Sequence, residues 1–185
     1  MKKLRKITSN YLLSLIKKAN TDKDAAFKLG MLYMDGIKIP QNTLRAIFYF
    51  QQATKLGHSN SQALCGYLYK NGATDLKPDL LKAAEFFEDA ALKSGDELLF
   101  WEAINLWLFG ADGKTPLDGQ RGIRLLAYMN YIMENPYSMF LRGEACRKGL
   151  WGEPKNIDEA KMWYRYAANL GYQPALSILR TLSAN

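Results

Sequence analysis

Residues 156–171 read Asn156-Ile157-Asp158-Glu159-Ala160-Lys161-Met162-Trp163-Tyr164-Arg165-Tyr166-Ala167-Ala168-Asn169-Leu170-Gly171, and they decide the fold. Asn156 suits the cap of a helix. Asp158 and Glu159 suit its positive first turn, and Gly171 supplies a left-handed stop. Ala160, Trp163, Tyr164 and Ala167 fall on one face at helical spacing. The segment is an amphipathic helix with both ends marked, and Trp163 reads as one of its core residues.

Working outward, Pro154 lies 38 residues after Pro116, and Pro78 and Pro40 precede at the same interval. Pro136 and Pro174 are also 38 apart. Six residues past each proline of the first set stands a small residue: Ala46, Ala84, Gly122, Ala160. Nine past it come Tyr49, Phe87, Leu125 and Trp163, and seventeen past it Gly57, Gly95, Met133 and Gly171. Such a period marks a repeat array, and a unit of this length holds two helices. The first helix of the first unit reads over 25–35 and ends at Gly36, with counterparts ending at Gly72, Gly110 and Gly149. Gly30, Gly66 and Gly143 sit mid-helix, where glycine costs about 1 kcal/mol against alanine. A cost repeated at one register predicts two helices crossing closely there. Ile104 takes this place in the third unit, which predicts a local difference in packing.

The motif, Ala25-x3-Leu29-Gly30-x2-Tyr33-x2-Gly36 followed by Arg45-Ala46-x2-Tyr49-x3-Ala53-x3-Gly57, resembles the Sel-like (Sel-one-like, SLR) repeat family, relatives of tetratricopeptide repeats. The resemblance covers residues 22–180, with the third unit departing most, at Ile104, Trp107, Gly122, Met129 and Met133. It implies an all-α, right-handed α-solenoid of about four helix-turn-helix repeats over 22–174. Capping helices are expected over 1–21 and 175–185. The family also implies a non-enzymatic role: binding a partner protein or peptide in a concave groove, as a bacterial adaptor or regulator or as a toxin-neutralising immunity protein. Carried over by register, the partner-facing positions are Phe27, Met31, Met34 and Asp35, then Tyr67, Lys70 and Asn71. In the third and fourth units they are Trp101, Asn105 and Leu108, then Tyr137, Phe140, Glu144, Arg147 and Lys148.

Composition closes off other classes. The 185 residues are 48% apolar and 23% charged, the balance of a folded globular chain. No uncharged apolar run reaches the length of about 18 residues that a membrane-spanning helix needs. Met1-Lys2-Lys3-Leu4-Arg5-Lys6 imitates the start of a secretory signal, but the apolar stretch behind it ends at Ile16 before Lys17-Lys18, so a cytoplasmic chain is expected. Residues 1–20 carry six Lys or Arg and no acid, leaving 19 basic against 18 acidic over the other 165; the +7 charge is an end effect, not a nucleic-acid stripe.

Two cysteines and one histidine exclude a disulfide framework and a cysteine/histidine metal site, and no cofactor is expected. Cys65 and Cys146 read as separate buried thiols. His58 reads as a surface turn residue, and 110–115 as an inter-helix turn despite its likeness to a phosphate-binding loop, because Leu108 stands where that loop needs glycine. The acidic groups Glu85/Glu88/Asp89, Asp96/Glu97 and Asp158/Glu159 read as solvated faces or helix-start charges.

Two segments leave alternatives open. Leu4, Ile7, Tyr11, Leu15 and Ala19 form a narrow apolar stripe, suited to a capping helix or, as the alternative function, to a basic amphipathic helix on an acidic membrane surface. Residues 122–133 are apolar all round, with Arg124 the single charge, so this helix is either sunk in the stack or makes a homodimer or partner contact.

Overall fold

The computed structural model describes residues 9–183, and among these the chain is helices joined by turns, with one isolated bridge between Ala73 and Leu76. It divides into two compact units, one up to Leu99 and one from Phe100 onward. The first holds α1 (Ser9–Lys18), α2 (Lys23–Asp35), α3 (Thr43–Lys55), α4 (Ser61–Asn71) and α5 (Leu80–Ser94). The second holds the body of α6 (Glu97–Phe109), then α7 (Gly119–Met133), α8 (Pro136–Lys148), α9 (Ile157–Asn169) and α10 (Gln173–Ser183). The repeats are the pairs α2/α3, α4/α5, α6/α7 and α8/α9. Among the described residues no helix is long and apolar enough to cross a membrane.

The second helix of every pair is started by an Asn or Asp side chain. Asn42, Asp79, Asp118 and Asn156 accept from the backbone N–H of Arg45, Lys82, Arg121 and Glu159. Each cap also donates its own N–H to a carbonyl of the preceding helix: Tyr33, Tyr69, Trp107 and Cys146, at 2.8–3.2 Å. The cap therefore fixes the turn and the register together. Counting eight residues from it reaches Phe50, Phe87, Leu126 and Tyr164, all fully buried.

This corrects the proline-based register. Asp79 follows its proline by one residue where the other caps follow by two. The proline count therefore finds Phe87 correctly, but lands on Tyr49 and Trp163, the half-buried neighbours of Phe50 and Tyr164. Trp163 is not a core residue. Arg142 lies 4.3 Å over its ring and its indole N–H points to Glu159 at 3.5 Å.

The recurrent mid-helix glycines do mark close crossings. A Cβ on Gly30 would stand 2.5 Å from the Phe50 ring, on Gly66 2.7 Å from Phe87, and on Gly143 2.6 Å from Tyr164. In α6/α7 the relation is inverted. Ile104 is fully buried on the first helix, and the small residue is Gly122 on the second, pressed against Leu108 and Trp107. The helix pair keeps its approach by exchanging which partner gives up its side chain.

Consecutive repeats are also clasped through their turns. Asp75, between α4 and α5, accepts from the N–H of Thr43 at 2.7 Å and from its hydroxyl, so it supplies a second cap to α3. Asp75→Ala should cost about 1 kcal/mol, as loss of a cap does, read as a lowered urea midpoint with unchanged slope. In the second unit the clasp is Trp151, between α8 and α9. Its indole donates to the Leu108 carbonyl at 2.9 Å, and its ring meets Phe109 edge-on at 5.4 Å. Its backbone lies so close to Gly119 that a Cβ there would be 2.7 Å from its Cα. Trp151 holds φ at 55°, an uncommon conformation for a bulky residue, and the indole contacts hold it there.

α1 and the turn after it place Leu15 and Ala19 in the first unit's core, with Leu12 and Ile16 half-buried beside them, while Tyr11 is exposed. Leu4 and Ile7 lie outside the described residues. Of the two alternatives for α7, the helix sunk in the stack is not met: Gly122, Ile123, Leu125, Leu126, Met129 and Asn130 are buried, but Tyr131 is 87% exposed and Tyr128 and Ile132 stand out beside it. The helix is covered on one side only.

Both thiols are buried and unbridged. Burial pushes Cys65 up to about 12, and burial with the charges of Glu159 and Glu153 pushes Cys146 up to about 11. Neither is expected to react with a thiol reagent in the native protein at neutral pH, whereas both react in denaturant. A fast-labelling thiol in the folded chain would contradict the packing of its helix.

Candidate functional site

In the first unit the register-derived positions lie on α2 and α4. Phe27, Met31 and Met34 are half-buried against the unit's core. The Phe27 ring lies 5.7 Å from Phe50 and stacks on His58 at 4.2 Å. His58 is thus no loose surface residue, and its Nδ1 also pairs with the Ser61 hydroxyl at 2.8 Å. Tyr67, 37% exposed, packs edge-on to Phe87 at 4.8 Å, and the Lys70 ammonium stands 6.0 Å over the same ring. Asp35 and Asn71 are exposed at the helix ends.

The second unit gathers more. Half-buried Trp101 on α6 lies 5.2 Å from Tyr137 on α8, and Tyr137 stacks with Phe140 at 6.4 Å. Tyr172, in the turn before α10, closes the set at 5.9 Å from Tyr137 and 5.1 Å from Phe140. Phe140 continues to Tyr164 at 5.8 Å. Asn105 is exposed on α6, whereas Leu108 is fully buried and belongs to the core.

From Tyr164 the chain of contacts becomes polar. Its hydroxyl donates to Glu144 at 2.5 Å, and Arg147 donates to both Glu144 oxygens at 3.0 and 2.9 Å and to the Tyr164 oxygen at 3.1 Å. Lys148 adds an ion pair to Glu144 at 2.5 Å. Burial works against the Glu144 charge, but hydrogen bonds from Arg147, Lys148 and Tyr164 outweigh it and hold the carboxyl at about 2, against an ordinary 4.5. Burial and the bond to Glu144 push the Tyr164 hydroxyl well above its usual range. Glu144 and Arg147 thus brace each other and the Tyr164 hydroxyl.

The sequence reading missed Tyr172 and Trp151. Tyr172 follows the stop glycine Gly171 as His58 follows Gly57, and Phe140 precedes Gly143 by three as Phe27 precedes Gly30. Comparing repeats at these two positions would have found both ring pairs, Phe27–His58 and Phe140–Tyr172. The 110–115 segment is a turn held by its own side chain, with Asp112 accepting from the N–H of Lys114 and Thr115 and from the Thr115 hydroxyl. Among the described residues no cluster of His, Cys, Asp or Glu could hold a metal ion.

Comparison with known proteins adds a family. Residues 23–58, 59–94 and 136–172 match the Sel1 repeat, which takes in α2/α3, α4/α5 and α8/α9 and passes over α6/α7. A curated relative, chitin synthase regulatory factor 4 of Schizosaccharomyces pombe, is 28% identical over 152 residues, 80% of this chain. The chain spans only 22% of that protein's length. Among solved structures, a protective antigen of uropathogenic Escherichia coli strains that displays an SLR fold shares 20% identity at a TM-score of 0.57, over 94% of this chain and 35% of its own. A Sel1 repeat protein from Oxalobacter formigenes shares 20% identity at a TM-score of 0.45, over 92% of this chain and 64% of its own.

Proposed function

From the premise that this chain belongs to the Sel1 repeat family, we propose that it binds a partner protein or peptide on the exposed faces of the first helices of its repeats. Proteins of this family generally act as non-catalytic scaffolds for protein–protein interaction. The observation that carries the reading here is the aromatic run Trp101–Tyr137–Tyr172–Phe140, in which Phe140 and Tyr172 pack against the unit's core while Tyr137 is 39% exposed with half-buried Trp101 beside it. Tryptophan and tyrosine are the side chains that most often dominate interface energies.

The test is partner capture by the immobilised chain, repeated with Trp101→Ala. The substitution should weaken capture about thirtyfold, the equivalent of about 2 kcal/mol, and leave the melting temperature nearly unchanged. Loss of folding with capture intact in the folded remainder would make Trp101 core and remove this face.

Two roles fit such a surface. An adaptor or regulator joins two proteins, so its captured partner brings a third along. An immunity protein binds one toxin domain and abolishes its activity, so co-expression rescues a cell from the product of a neighbouring gene. The membrane-surface alternative needs the apolar stripe of the N-terminal segment, and two of its members, Leu15 and Ala19, are buried in the first unit's core, which favours the capping role. Deleting residues 1–20 should therefore lower the melting temperature, and the intact chain should not sediment with anionic vesicles.

A further inference from the structure

Tyr137, Phe140, Glu144 and Arg147 fall at i, i+3, i+7 and i+10 on α8, which places them along one side of the helix. Their contacts run continuously from ring to ring and then through Tyr164 to the ion pairs. The side therefore has two unlike ends. Its beginning is aromatic, with Tyr137 39% exposed and Trp101 against it. Its end is cationic, and the arrangement in depth matters there. The Glu144 side chain is recessed at 12% exposure, whereas Arg147 and Lys148, which share that one carboxylate, reach out to 30% and 48%. Two positive charges face outward over one negative charge held beneath them. Glu153 and Glu159, the acids bearing on α8 from the α9 side, act on Cys146, which lies on a different side of the helix.

Resting on the peptide-binding reading above, we infer that this side of α8 takes an acidic peptide segment, with an apolar or aromatic anchor against Tyr137 and Trp101 and carboxylates over Arg147 and Lys148. Charge complementarity selects that occupant, since Arg147 and Lys148 share the single Glu144 carboxylate and leave a net positive charge facing outward, which an acidic segment matches and a basic one is repelled by. The spacing follows from geometry. Ten helical residues from Tyr137 to Arg147 rise about 15 Å, which an extended peptide covers in about four or five residues at roughly 3.3 Å each.

The experiment is selection of displayed random dodecapeptides on the intact chain, followed by titration of a labelled synthetic winner. The expected winners carry Trp, Phe or Leu with Asp or Glu about four residues away. The dissociation constant should rise at least tenfold for Tyr137→Ala, for Lys148→Glu, and on raising salt from about 50 to about 300 mM. Lys148 is half exposed, so that variant should keep the parent's helical circular dichroism, and Lys148→Gln gives the same reading without charge reversal. Winners that are neutral or basic, or that bind Lys148→Glu unchanged, overturn this inference and leave peptide binding standing. No enriched peptide at all overturns both. Displacement of the acidic peptide by a thymidine oligonucleotide at equal concentration would assign the cations to phosphate instead.

Discussion

Tyr164→Ala is expected to cost about 3 to 5 kcal/mol of folding stability, the range of a fully buried aromatic truncated to alanine. Its ring fills the space over Gly143, leans on Phe140, and is completely excluded from solvent. Its hydroxyl is also a donor to buried Glu144, so the variant loses a hydrogen bond to a charged group along with the packing. Trp163→Ala, one residue earlier and of larger volume, should cost only about 1 to 2 kcal/mol, because its ring is only partly buried at the edge of the core and carries the Arg142 cation over its face. Urea unfolding of the two variants decides between registers. Equal losses, or a larger loss for Trp163, would restore the proline-based register and undo the one counted from the helix cap.

That pair of residues also shows why the fold was legible and the register only partly so. The period, the stop glycines, the caps and the mid-helix glycines are backbone requirements, and each admits only one or two residue types at its place in most units. Proline marks the same turn more loosely, since one residue more or less before the cap is tolerated there; Asp79 shows the slip. Burial follows the cap, because the cap's own bonds to the preceding helix set where the second helix begins. The third repeat was harder for a different reason. Its close approach is kept by Gly122 rather than by a glycine on α6, so a search for the motif on the first helix meets Ile104 and fails.

The candidate site was less legible than the fold. Its α8 candidates, Tyr137, Phe140, Glu144 and Arg147, came from register, and the structure brings them to one side of the helix in mutual contact. Tyr172 was not, because it acts from a turn and its ring reaches α8 only through the tertiary path of the chain. Trp151 left no local signal either. Its left-handed backbone and its contact with Gly119 depend on two segments brought together from opposite ends of the second unit's middle.

The acid limit of stability should be set in large part by Glu144. Its carboxyl is held at about 2 in the folded chain against an ordinary 4.5, a depression of about 2.5 pH units. A depressed carboxyl stabilises the folded state fully above its unfolded value, and the stabilisation is lost as pH falls through the folded one. The window is therefore pH 4.5 down to about 2. At about 1.4 kcal/mol per unit the upper bound is about 3.5 kcal/mol, and solvent around the partly exposed Arg147 and Lys148 lowers it. Glu144→Gln removes the charge and leaves Arg147 and Lys148 facing a neutral amide, so at pH 7 it should be about 2 to 3 kcal/mol less stable than the parent. The difference should narrow as the pH is lowered from about 5 to about 2.5, because the parent alone has this charge to lose. Urea midpoints measured for both proteins across that range provide the reading. A gap that stays constant would mean that the ionisation of Glu144 is not what stabilises the folded chain.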